Sequence, residues 1–505
     1  ENMYGNRGQQ IGALGAVSSS SVDPYENRTE SLIKQSYVMA RGQAKLATQT
    51  TEVRSYNGDE NLTSYQAPVS LVYHYDDFGR LERVTDSYGR RDVVTQSLSF
   101  EYGYDESAGV KKTKLVMASR NTLVQTYTVV NNQAKIATQI NASESYGFLE
   151  EPRAEALIGQ GEWPGPLVSK NHGFKMVYDY DDKGRLRHVL NGGHREKEGG
   201  EFVGASYDYD GNNLVLLPGG EAGDTAVVSV TEAWDFADAL DRTSFTTRTR
   251  AETKQVYGVI AGQARVVVQG TLSSQTHDDL GRLLSEQIAT GDLTNLYSDG
   301  EVRVVYENDV DRDGIMDTVY FRDNVGILQG AHGADGGAVI TTQVSYDYAD
   351  ASLGWDGWSL DDWTSMTTVD NIQFYVVVAG QARVESTVTM GETVGVDGAV
   401  TYVGATEKNG VLVWEGNQTT NFYDRYGRLA EVHSRSTAVS HSGFQDSQSR
   451  VGEWDTTISE TDSRHMLING QARADTTFTH SVTRGRDGSL NTQQAETRFD
   501  YNQWG

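Results

Sequence analysis

The 505-residue chain carries 43 Lys and Arg against 70 Asp and Glu, a formal charge of -27. That balance argues against nucleic acid or an anionic membrane surface as partner, since both call for a positive field. With no cysteine, disulfides, thiolate metal sites and cysteine nucleophiles are excluded, and no apolar run reaches the ~18 residues of a membrane span.

The 53 Gly and 27 Tyr suit turns and half-buried strands, and only 6 Pro leave the backbone donors free for sheet ladders. The chain opens at Glu1 with no leader-like segment, which leads us to expect a mature or excised segment. Residues 1–30, with IGALGAVSSSSV, read as a flexible arm able to lie along a neighbour's sheet edge by strand addition.

From residue 31 onward two short boxes alternate, and they define repeat units 31–120, 121–249, 250–368, 369–458 and a partial 459–505. The first box is Tyr-x5-Gln-Ala-Lys/Arg. Its Gln-Ala pairs are Gln43-Ala44, Gln133-Ala134, Gln263-Ala264, Gln381-Ala382 and Gln471-Ala472. The aromatic six residues earlier is Tyr37, Tyr127, Tyr257 or Tyr375, with His465 in the last copy. Ala264 and Val266 alternate with Gln263 and Arg265, so the box reads as a half-buried strand with a Gly bulge before it. An outward Gln could also ladder with its equivalents if copies stack.

The second box is YHYDDFGRL at Tyr73 to Leu81, YDYDDKGRL at Tyr178 to Leu186, HDDLGRL at His277 to Leu283 and YDRYGRL at Tyr423 to Leu429. Asp76 suits the first position of a type I turn, where its carboxylate accepts backbone N–H groups. Gly79 suits the left-handed position that closes a bulged turn. Asp86 to Arg90 is a degenerate extra copy. Successive box glutamines lie 90, 130, 118 and 90 residues apart, so insertions of different length hang from a common frame at the turns. The expected fold is all-β: a repeat array of antiparallel β-hairpins forming a continuous twisted or spiralling sheet with loop insertions. Both chain ends fall at the same phase of the repeat, as in a slice of a longer array or in copies that continue head to tail.

Three insertions carry polar or aromatic clusters. His188 and His194 share a Gly-rich charged stretch that reads as a solvated loop, with a zinc pair as the alternative. In the third unit Asp309, Asp311, Asp313 and Asp317 stand at positions 1, 3, 5 and 9 of a loop, with Gly314 at 6 and the Ile315 carbonyl at 7. That spacing makes a structural calcium loop, and Tyr320 at position 12 removes the EF-hand reading. It resembles the Asp-x-Asp-x-Asp-Gly loops of extracellular calcium-repeat proteins. Trp355, Trp358 and Trp363 form either a small satellite core or subunit contact, or a sugar-stacking platform.

The second box resembles the YD repeat of the Rhs/YD-repeat family, Tyr-Asp-x-x-Gly-Arg-Leu, which Tyr423 to Leu429 matches in full. The resemblance implies a large secreted or surface protein in which a hairpin ribbon spirals, often as a shell around a toxin. The copies here lie further apart than the family's, and the family's autoproteolytic core signature and toxin tail are not found.

No nucleophile elbow, phosphate loop, dinucleotide fingerprint or paired-histidine metal helix occurs, so no enzyme is expected. The chain is expected to be a structural extracellular or cell-surface repeat protein. It would be a subunit of a filament or sheath, or a segment of a giant surface protein, with copies of itself as partner. The alternatives are the wall of a toxin-enclosing shell and a glycan-binding adhesin.

Overall fold

The computed structural model describes residues 2–4, 10–23, 26–105, 112–147, 154–161, 163, 165–236, 245–297, 302–308, 317–322, 327–333, 336–348, 363–396, 398–409, 411–442, 455–468 and 471–500. Runs rich in Thr, Val, Ser and Tyr form strands of up to 19 residues, and successive hairpins join them into a large antiparallel sheet. A 14-residue strand such as Gln43–Tyr56 spans about 46 Å at the usual rise, so the hairpins are long. Among the described residues no helix is long and apolar enough to cross a membrane.

The chain divides into two units, Glu1–Arg265 and Val266–Gly505. In the first, Gln10–Val22, Arg28–Ala40, Gln43–Tyr56, Leu62–Tyr75, Val93–Asp105, Lys112–Val130, Gln133–Gly147, Leu167–Tyr180, Ala226–Asp235 and Thr247–Ile260 lie side by side, each antiparallel to the next. Two of these strands fork. Leu62–Tyr75 pairs over its first part with Val93–Asp105 and over its last part with the short return strand Leu81–Thr85. Leu167–Tyr180 divides its edge in the same way between Ala226–Asp235 and Leu186–Arg195.

In the second unit the run is Leu283–Thr290, Val339–Tyr348, Trp363–Val378, Gln381–Gly395, Asn417–Tyr423, Leu429–Ser442, Asp455–Ile468, Gln471–Arg484 and Leu490–Arg498.

The opening segment corrects the expectation of a flexible arm. Gln10–Val22 is a strand, and it pairs without a break with Arg28–Ala40 from Gly12 opposite Val38 to Val22 opposite Arg28. The turn is set by Asp23, whose Oδ1 accepts the Asn27 N–H at 3.0 Å while its carbonyl accepts the Glu26 N–H at 3.0 Å. Small residues without proline suit this place, since they let the strand lie along the edge of its own chain.

Burial is sparse. In the first unit Leu62, Tyr65, Leu98, Phe100, Leu115 and Ala118 on the sheet are covered by an insertion carrying Ala154, Leu157 and Trp163. A second cluster gathers Met176, Val189 and Val227, and the second unit has a small one of Leu293, Ala331 and Val339. Cross-strand polar pairs do much of the remaining work. Arg120, Glu144, Lys170, Glu232 and Arg250 stand directly opposite one another on five adjacent strands in alternating sign. Such pairs contribute roughly 0.2–1 kcal/mol each.

Candidate functional site: a two-turn module

The second box folds the same way at five places. The Asp76 Oδ1 accepts the N–H groups of Phe78 (2.9 Å) and Arg80 (2.8 Å), and the Arg80 Nε donates to Oδ2 at 2.9 Å. The backbone closes the loop, with the Gly79 N–H donating to the Asp76 carbonyl and the Asp76 N–H to the Arg80 carbonyl, both at 2.9 Å. Gly79 has φ of 74°, the left-handed conformation that a side chain would strain. Asp86, Asp181, Asp278 and Asp424 repeat these contacts with Arg90, Arg185, Arg282 and Arg428. The degenerate copy at Asp86 is therefore a full turn. The arginine after the glycine is the counter-ion of its own turn, a role that the sequence reading missed.

These bonds hold the carboxyls below the usual aspartate range. At Asp76, Asp181 and Asp424 the backbone N–H of the arginine contributes most. At Asp86 and Asp278 burial pulls upward but is outweighed by the arginine's hydrogen bonds. Each carboxylate is an anion fixed in a turn, the reverse of a carboxylic acid held ready to donate a proton.

The first box is also a hairpin turn, and here the expected bulge before Gln is corrected. Arg41 and Gly42 both have positive φ, 49° and 80°, as do Asn131-Asn132, Ala261-Gly262 and Ala379-Gly380. Two such central residues make the tight primed turn whose twist matches antiparallel strands. The bulge lies at the aromatic instead. Ser36 faces Thr48 but Tyr37 faces Leu46, which leaves Ala47 unopposed. Ala137, Glu385 and Asp475 are left out in the same way.

A further repeated motif surrounds that aromatic. Tyr37, Tyr127, Tyr257 and Tyr375 donate their hydroxyls to the side-chain oxygens of Gln35, Gln125, Gln255 and Gln373 at 2.7–3.1 Å. Gln-x-Tyr was visible in the sequence as a recurrence and passed unread.

The two boxes are joined at the bulge. A bulge interrupts the ladder and leaves a carbonyl without its usual strand partner. The tyrosine just before the turn aspartate supplies one: Tyr75 donates to the Leu46 carbonyl at 2.8 Å, Tyr180 to Ile136 at 2.9 Å and Tyr423 to Val384 at 2.9 Å. Asn421 adds a second donor to Val384 at 3.0 Å. In the third repeat Tyr297 and Asn295 serve the Val266 carbonyl, so Leu293–Tyr297 takes the position that Asn417–Tyr423 has in the fourth.

The turns themselves touch. A Cβ on Gly79 would lie 3.4 Å from the Ala40 Cβ, and one on Gly427 would lie 3.4 Å from the Ala379 Cβ. Arg41 donates to the Asp77 carbonyl at 3.2 Å and covers the Phe78 ring.

Removing one hydroxyl tests this joint. Tyr75→Phe is expected to cost about 1 kcal/mol and to speed amide exchange around Ala47, because the Leu46 carbonyl loses its donor. Tyr423→Phe is expected to cost less, since Asn421 still serves Val384. Urea unfolding with hydrogen exchange on both variants checks the order.

The remaining expected sites are scattered. His188 pairs with Asp179 at 3.0 Å and His194 with Glu196 at 3.2 Å, on separate carboxylates. Among the described residues no group of three or more His, Asp or Glu could hold a metal ion. Asp309, Asp311, Asp313 and Ile315 lie outside the described residues. Asp317 opens the strand Asp317–Arg322, which pairs with Val302–Asn308 so that Asn308 faces Asp317. The backbone thus brings the two ends of that loop together. Trp355 and Trp358 also lie outside the described residues, and Trp363 opens the strand Trp363–Val378 opposite Tyr348.

Fold and site together define an antiparallel hairpin-array protein with a recurring two-turn module. No family model matches the chain, and no curated protein is significantly similar to it.

Proposed function

We propose that the chain is a structural repeat protein of the extracellular or cell-surface kind, akin to YD-repeat proteins, whose copies assemble through β-sheet contacts into a filament, a sheath or part of a larger surface protein. One observation carries this reading. The accessible surface is 30123 Å², whereas two compact domains of half this mass each would expose about 22,000 Å². A sheet that leaves so much area uncovered gains by packing against further copies.

The recurring residues support the same view. Their polar groups are spent within the hairpins, on turns and bulge carbonyls. Calcium at Asp309, Asp311, Asp313, Asp317 and the Ile315 carbonyl belongs to the proposal as a clamp on the Val302–Arg322 hairpin.

Sedimentation and negative-stain imaging over rising protein concentration, in millimolar calcium and after chelation, test it. Ordered assemblies that shorten or soften on chelation are expected. Monodisperse single molecules in every condition would overturn the reading.

A further inference from the structure

Two long strand edges lack a partner among the described residues. The strand Gln10–Val22 pairs on one side with Arg28–Ala40, and on its other side Asn2–Tyr4 reaches only Gln10, Gly12 and Ala13. From Gly15 to Val22 that outer side is bare, with Val17 61 % and Val22 64 % exposed. The strand Leu490–Arg498 pairs on one side with Gln471–Arg484, and all nine of its residues are exposed.

Sheets normally guard open edges with charge, proline or a bulge. Gly15–Val22 has no charged residue and no proline, and its pairing with Arg28–Gln35 runs without a slip. Leu490–Ala495 is likewise uncharged, and its strand pairs without a bulge from Leu490 opposite Arg484 to Arg498 opposite Thr476. Neither edge is built to refuse a strand.

Charge narrows the choice of partner. Two copies, each formally -27, repel over most of their surface. Added strands must approach to about 4.8 Å, and like charges directly opposite at that spacing are destabilising. The two uncharged edges are places where one copy can meet another without that penalty. Serine suits such a joint, because hydroxyl pairs already link strands within the chain, as in Ser19 with Ser31 at 2.7 Å.

We infer that the bare edge Gly15–Val22 of one molecule takes up the strand Leu490–Arg498 of a second copy of this chain as an added antiparallel strand. The inference rests on the structural reading above and names its contact. Pairing Gly15–Val22 with itself about a twofold axis would close after two copies and leave Leu490–Arg498 uncovered. Joining the two different edges covers both and repeats without limit, as a head-to-tail contact does.

The absence of cysteine makes the contact directly readable. Full-length chains carrying one cysteine at Ser18, Ser19 or Ser20 are mixed with chains carrying one at Gln493, Gln494 or Ala495, oxidised gently and resolved by mass spectrometry. Mixed disulfides are expected to outnumber either self-linked product at one or more of these pairs. Val17→Lys, which places a charge on the edge, is expected to weaken association at least tenfold while circular dichroism stays unchanged. Assemblies that persist in Val17→Lys without mixed disulfides at any pair would overturn the joint and leave the structural reading standing. Self-linked serine-edge dimers in excess would replace it with the twofold contact. Single molecules throughout would overturn both.

Discussion

Trp163→Ala is expected to destabilise the first unit by about 3–5 kcal/mol, the usual cost of deleting a large buried aromatic. Trp163 is 6 % exposed and sits in an insertion whose one-turn helix, Ala154–Leu157, is too short to hold itself. Its ring meets the Tyr146 ring edge-on at 5.4 Å and lies 4.5 Å under the Arg120 guanidinium. Its Nε1–H donates to the Leu157 carbonyl at 3.1 Å, which fixes the helix against the ring.

Arg120 also donates to the carbonyls of Gln160 and Gly161, so ring, helix and sheet are pinned at one point. Without the ring the insertion lifts, and Leu62, Leu98, Phe100 and Leu115 lose their cover. Leu157→Ala, about 2–5 kcal/mol, should mimic it, and Trp163→Phe should retain most of the packing. Urea unfolding followed by near-ultraviolet circular dichroism reads all three. A loss below about 1 kcal/mol for Trp163→Ala would show that the insertion does not seal this core.

Acid is expected to open the turns together. Five aspartates have carboxyls held below the ordinary value of about 3.9 by their own turn. A carboxyl whose folded value is depressed contributes stability above its unfolded value, and that contribution vanishes as pH falls through the folded one. Glu196, Glu198, Glu415 and Asp487 are shifted in the same direction. The urea midpoint should therefore be flat from about pH 7 to 5 and fall steeply below about pH 4.

The alkaline limb has the opposite sign. Burial pushes Tyr102, Tyr178 and Tyr209 up to about 12. Their contribution holds below about pH 10 and is lost as pH rises toward those values. Asp424→Ala should flatten the acid limb by one turn's share, and an unchanged limb would refute the assignment.

What the sequence disclosed follows the range of the interactions. The Asp-x-x-Gly turn was legible because Asp76 and Gly79 act on the backbone within four residues. The other turn misled because Ala261 and Ala379 occupy left-handed positions that alanine does not seek alone, so strand pairing on either side imposes them. The tyrosine caps were out of reach, since Tyr75 and Tyr180 act on carbonyls 29 and 44 residues away. Ser18 to Ser21 looked like an arm by composition, yet the partner that makes them a strand begins only at Arg28. The candidate calcium loop depends on spacing alone and is fully visible in sequence, but the hairpin beneath it becomes visible only when Asn308 faces Asp317.

The forked strands bear on how such a molecule would yield under tension. Leu62–Tyr75 and Leu167–Tyr180 each grip two neighbours along one edge, so a pull across the strands of the first unit must part a long pair and a short one at the same rung. Between those rungs the ladder opens one residue pair at a time. Stretching should then give out length in small yielding steps that stall at each fork, absorbing work gradually where a domain sheared along its strands would snap.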